Sequence, residues 1–114
     1  MSKSIAQVLD LKDDPEIIAK YEEYHRNVWP EVIDALTGIG IERMEIFRSG
    51  NPLFMYCTVP DEFDPRRDFQ SYTDSKRAEE WNDLMSTFQQ KVSEATESDW
   101  WCPMSLAFDS QWFD

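Results

Sequence analysis

The stretch Leu53–Val59, LFMYCTV, constrains the fold of this 114-residue chain more than any other. It is apolar throughout and is bounded by the turn residues Gly50, Asn51 and Pro52 on one side and Pro60 on the other. Such a run reads as a central strand covered on both faces. Side chains alternate across a strand, so Leu53, Met55, Cys57 and Val59 face one side, and Phe54, Tyr56 and Thr58 the other. Helices supply one cover. The second face needs either another subunit or a ligand.

The rest of the chain supplies the neighbours. A strand is expected over 4–11, where SIAQVLDL alternates loosely. A helix then starts at Asp14 and Pro15, a capping residue followed by the residue best suited to the first helical position. Pro30 breaks that helix, and a short second piece ends at Gly38. A strand is expected over 41–49. The segment 60–69 reads as a loop leading into a helix marked by Ala78, Trp81, Met85, Phe88 and Val92. A last strand is expected over 103–113, with Met104, Leu106 and Phe108 on one face and Ser105, Ala107 and Asp109 on the other. The order β-α-β-β-α-β defines an α+β fold of ferredoxin-like type, a four-stranded antiparallel sheet with two helices on one face. Residues 1–114 read as one domain.

Charge and composition narrow the partners. The net charge is -12, from 23 acidic and 11 basic residues. Such a surface repels phosphate backbones and anionic lipids, so neither nucleic acid nor a membrane is an expected partner. No stretch approaches the ~20 apolar residues of a membrane span. The opening MSKSIAQVLD has no apolar signal region, and the expected compartment is the cytoplasm. Cys57 and Cys102 lie far apart without metal-ligand spacing, so both are expected to be reduced thiols.

Chemistry concentrates in YEEYHRNVWPEV, residues 21–32, which holds the chain's one histidine. Spacing of four puts Tyr21, His25 and Trp29 on one helical face. Histidine exchanges protons near neutral pH, tyrosine donates or relays one, and an indole offers a flat apolar surface. The combination suits a neutral, hydroxyl-rich ring. The same stripe also fits a plain amphipathic helix with one polar guest. Trp81, Met85 and Phe88 fit a core, and the pair Trp100–Trp101 fits a lid, a subunit contact or an edge seal.

The pattern Tyr21, His25, Trp29, Pro30, Glu31 resembles the L-rhamnose mutarotase family. So do Leu36, Gly38, Gly40, Ile46 and Phe47, the NPLF turn into the third strand, and the Trp-bearing second helix. The resemblance spans about Ile5 to Phe113. It implies a small homodimeric α+β barrel that interconverts the α and β anomers of a deoxy sugar without a cofactor. It places the proton donor on His25, a substrate-binding tyrosine on Tyr21 and a binding tryptophan on Trp81. Two positions depart from the rhamnose enzymes: Met44 stands where they carry a second sugar-contacting tyrosine, and Glu80–Trp81 where they carry paired tryptophans. EWNDLMSTFQQ (80–90) and WWCPMSLAF (100–108) are instead similar to a sister branch associated with L-fucose.

The expected function is mutarotation of a neutral 6-deoxyhexose, L-fucose ahead of L-rhamnose. His25 and Tyr21 are the expected catalytic residues. Trp81, Trp29, Glu80 and Met44 are the expected substrate contacts, with Glu80 also a candidate partner base or a solvated charge. Two alternatives remain open at this point: a cofactor-free monooxygenase on the same architecture, and a sugar-binding module without catalysis.

Overall fold

In the computed structural model, which describes residues 1–113, the chain begins with strand β1 (Ser2–Leu11). Helix α1 (Pro15–Arg26) follows, with the Asp14 side chain accepting from the Glu16 backbone N–H and Pro15 in the first turn. A cap of this kind stabilises a helix by ~1 kcal/mol. Asn27 ends α1, and α2 (Pro30–Gly38) starts at the second proline. Gly40, with φ +105, rather than Gly38, makes the left-handed turn into β2 (Arg43–Arg48). Gly50 (φ +68) turns the chain into β3 (Pro52–Pro60). The segment read as a loop contains a further helix, α3 (Pro65–Ser71), capped by Asp64. Helix α4 (Lys76–Ser86) follows, capped by Ser75. Two very short strands close the sheet: β4 (Gln89–Gln90) and β5 (Cys102–Pro103).

The sheet order is β2-β3-β1-β4, with β5 also on β1 and every pairing antiparallel. The apolar run sits at the centre, as expected, and the architecture is ferredoxin-like α+β. The helices cover one face. Leu9, Leu11, Leu53, Cys57 and Val59 are almost completely buried there, and Tyr21, Val32, Trp81 and Met85 meet Leu11 and Leu53 from the helical side. Burying each such aliphatic side chain contributes roughly 1.5–3 kcal/mol.

The last strand departs from expectation. Pairing along 103–113 stops after Pro103, with one further bond from the Met104 N–H to the Ala6 carbonyl. Met104, Leu106 and Phe108 stand 48%, 65% and 64% exposed, and Ser110–Phe113 form a 3-10 turn. Alternation alone does not make a strand; it needs an edge to bond to. The fourth sheet position is divided instead between β4 and β5, with residues 91–101 between them.

Register tells which face of the sheet is left uncovered where this arm departs. Cys102 stands opposite Val8 and Pro103 opposite Gln7. Val8 and Ala6 share their sheet face with Phe54, Tyr56 and Thr58, away from the helices, through the β1–β3 pairs. Phe47 joins that face opposite Phe54 and is 54% exposed. Met104, Leu106 and Phe108 follow this pairing as exposed chain outside any strand.

Candidate active site

Between the helices and the sheet lies a cleft of about 1160 Å³, walled among others by Tyr21, His25, Met44, Trp81, Gln89 and Trp101. Helix α1 carries the chemistry. Tyr21 is buried, and one turn on, the His25 ring lies over it with centroids 4.2 Å apart. His25 Nδ1 is 2.9 Å from the Tyr21 backbone oxygen. A carbonyl can only accept, so Nδ1 carries the proton and Nε2 of the neutral ring keeps a bare lone pair.

Two effects compete for the charge on His25. Burial disfavours the imidazolium, while the hydrogen bond to the Tyr21 carbonyl favours it. Burial wins, and the His25 pKa lies below its ordinary 6.5. Burial also pushes the Tyr21 phenol up to about 12, against a smaller opposing pull from Gln89. Both groups are therefore neutral at pH 7, one with a free acceptor and the other with a hydroxyl proton.

Trp81, from α4, closes the far side of His25. It is 5% exposed and is held edge-on by Tyr24 (6.0 Å), His25 (5.5 Å) and Trp29 (5.1 Å). Trp29 stands outside the cleft wall, behind Trp81. The Arg77 guanidinium lies 3.9 Å from the Trp29 ring centroid. Arg77 also bonds Glu31 (3.2 Å) and Glu80 (2.9 Å), tying α2 to α4. Glu80 is thus engaged on the outer side of α4 and does not line the cleft. Met44 does line it, pointing from β2 on the same face as Cys57.

The sequence reading missed Gln89. It is 5% exposed, lies beside Tyr21 and bonds both Tyr21 and Trp100. A glutamine at a strand start reads as solvent-facing until the strand's register is known, and β4 is too short to show a period. Trp100 and Trp101, noticed only as a pair, divide their roles. Trp101 packs against both core clusters, and Trp100 bonds Gln89.

Fold and cleft together define a small ferredoxin-like α+β protein with one neutral imidazole and one neutral phenol side by side in its cleft. Residues 4–110 match the family profile described as L-rhamnose mutarotase. The chain is 39% identical over 99 residues to an L-fucose mutarotase of Xanthomonas campestris, covering 85% of this chain and 79% of that protein. It is 50% identical over 115 residues to the UPF0734 protein of Dictyostelium discoideum, covering 97% and 92%. Among solved structures, an L-rhamnose mutarotase from Formosa agariphila superimposes with a TM-score of 0.68 at 21% identity, covering 94% of this chain and 97% of that one. The tetracenomycin F2 cyclase of Streptomyces glaucescens shares the fold (TM-score 0.62, 17% identity, 95% and 98% covered). The chain belongs to the L-rhamnose mutarotase family. It is an isomerase acting at the anomeric carbon of a sugar.

Proposed function

We propose that the protein interconverts the α and β anomers of a neutral 6-deoxyhexose, L-fucose ahead of L-rhamnose, by general acid–base ring opening. The observation that carries the mechanism is the Nδ1–H bond from His25 to the Tyr21 carbonyl, which leaves Nε2 as a base beside a phenol that can act as an acid. His25 Nε2 takes the proton of the anomeric hydroxyl while the bond from C1 to the ring oxygen breaks. The Tyr21 hydroxyl gives its proton to that oxygen. The open aldehyde turns about the bond between C1 and C2, and closure on the other carbonyl face returns both protons. No redox step and no covalent intermediate is involved. Such catalysis contributes about 10²–10⁴-fold, ample for a reaction that water already supports. Trp81 walls the sugar and excludes water. Trp29 and Arg77 hold Trp81 in place, and Glu80 belongs to that clamp rather than to the chemistry.

The two groups set the pH dependence. Below its lowered pKa His25 is protonated and cannot accept, so catalysis falls on the acid side. The midpoint of that fall lies below 6.5. Activity is flat through neutrality, since Tyr21 keeps its proton until about 12. The folded state also binds fewer protons than the unfolded chain, so stability falls as pH drops below 6.5 toward the folded His25 pKa. Rates of anomer exchange measured across pH by NMR check this. An acid limb centred at or above 6.5 contradicts the assignment.

Sugar choice is read from two sources. A relative named L-fucose mutarotase is 39% identical, and Met44 puts a thioether on the wall where the rhamnose enzymes resembled here carry a phenol. Losing one matched bond to a buried hydroxyl costs about 1–3 kcal/mol, a clear preference without exclusion. Exchange between anomeric protons of L-fucose, L-rhamnose and D-glucose, measured side by side, should be fastest for L-fucose. Faster exchange of L-rhamnose reverses the sugar choice. No acceleration of any of them sinks the mutarotase reading.

The working form is a homodimer with sheets face to face, and residues 1–114 act as one unit within it. Its support is the pairing that puts Phe47, Phe54 and Tyr56 on one uncovered face, together with the exposed apolar side chains of Met104, Leu106 and Phe108. Among the described residues no helix is long and apolar enough to cross a membrane. We place the enzyme in the cytoplasm, with a monosaccharide as its small-molecule partner and no cofactor.

A further inference from the structure

Gln89 is held at both ends of its amide. The Trp100 indole N–H donates to Gln89 Oε1 at 2.8 Å, and Gln89 Nε2 donates to the Tyr21 hydroxyl oxygen at 3.4 Å. The two ends of an amide have nearly the same shape, but an indole N–H can only donate. The end facing Trp100 must therefore be the oxygen, and the end facing Tyr21 must be the NH₂. Pairing of Gln89 with Leu11 fixes the backbone beneath it. Trp100 arrives from the segment between β4 and β5.

We infer that Gln89, locked by Trp100, is a positioning residue that keeps the Tyr21 hydroxyl a hydrogen-bond donor toward the cleft. The inference rests on the acid–base reading given above and adds to it what fixes the direction of the proton. A phenol oxygen that accepts from Gln89 has its own proton left over, and that proton points away from the amide. With the amide reversed, Tyr21 would donate to Gln89. The cleft would then face two acceptors, the bare imidazole nitrogen and a phenol lone pair, with no acid for the ring oxygen. The orientation of one buried amide thus decides whether His25 and Tyr21 form an acid–base pair or two bases.

Gln89→Glu tests this in the full-length protein. The carboxylate still accepts from Trp100, but toward Tyr21 it can only accept. Catalysed anomer exchange at neutral pH is expected to fall about ten- to a hundredfold in a folded protein. The ratio of variant to wild type should recover as pH falls and the new carboxyl takes a proton to donate. Gln89→Met fills the space with neither donor nor acceptor and should lose less, because the phenol proton is then free to turn into the cleft. Trp100→Phe lets the amide turn over and should lower the rate, and Gln89→Met in that background should restore part of it. Neutral-pH activity of Gln89→Glu equal to wild type, a loss unresponsive to pH, or equal losses in the Glu and Met variants would overturn the inference. If Gln89→Glu does not fold, the Trp100→Phe pair decides, and absence of restoration counts against it. Failure of the underlying reading looks different: the wild-type protein itself then leaves exchange at its uncatalysed rate.

Discussion

Replacing His25 with Ala lowers catalysed anomer exchange by about a hundredfold or more, the lower end of what an acid–base group contributes, and leaves the fold in place. The size of the effect follows from the absence of a substitute. Tyr21, beside it, is a neutral phenol up to about 12 and cannot act as a base near neutrality. The small structural cost follows from what His25 holds. Among the described residues its side chain hydrogen-bonds only the carbonyl of Tyr21, on its own helix, and its ring also packs edge-on to Trp81 of α4. The variant therefore loses about 1–3 kcal/mol, from that bond and from the ring packing removed beside Tyr21 and Trp81. Exchange NMR and thermal unfolding followed by circular dichroism separate the two quantities. A folded His25→Ala protein with wild-type exchange refutes the catalytic role. An unfolded one assigns His25 to the core instead.

The second large effect concerns assembly. Introducing Asp at both Leu106 and Phe108 should turn a homodimer into a monomer at micromolar concentration. Both side chains are more than half exposed in the single chain, and the aromatic contacts at stake there are those of Phe108 with Trp112 and Phe113 at the end of the same arm. In the proposed face-to-face dimer they would lie in the interface. A symmetric dimer carries each substitution twice, so four apolar anchors at about 1 kcal/mol or more each should raise the dissociation constant at least about a thousandfold. Sedimentation velocity on both proteins reads this directly. A wild-type protein that is already a stable, folded monomer at micromolar concentration removes the dimer altogether. A double variant that stays dimeric places the interface elsewhere.

Much of the fold was legible because local rules and long-range packing agree in it. The LFMYCTV run could only be a central strand. Asp14–Pro15 and Pro30 marked helix boundaries by backbone chemistry that tertiary contacts had no reason to override. The terminal strand was misread for the opposite reason. The alternation of Met104, Leu106 and Phe108 is real, but a strand also requires a hydrogen-bonding edge, and no sequence pattern states whose edge that is. Helix α3 was hidden because its seven residues are too short to show a period.

The site divides along the same line. The Tyr21–His25 pair was visible because one helix carries both at a spacing of four. Trp81 entered by resemblance. Glu80 looked chemical beside Trp81, yet adjacent helix positions point about a quarter-turn apart, and the structure turns Glu80 outward to Arg77. Trp29 shares the stripe of Tyr21 and His25 in spacing, but Asn27 ends the helix before it. Gln89 and Trp100 come together across strands and loop, a contact that exists only after folding.

The division of the fourth sheet position between β4 and β5 has a consequence for how such a protein can change over generations. The proposed reacting groups, His25 and Tyr21, sit on a capped helix, where a substitution would disturb packing and function at once. Residues 91–99, spanning the gap between the short strands, are mostly exposed and lead into Trp100 and Trp101 at the rim of the cleft. Insertions and replacements there meet little steric resistance. Selectivity can thus drift on a forgiving segment while the reaction stays anchored on a rigid one. A lineage could acquire a new sugar without ever passing through an inactive ancestor.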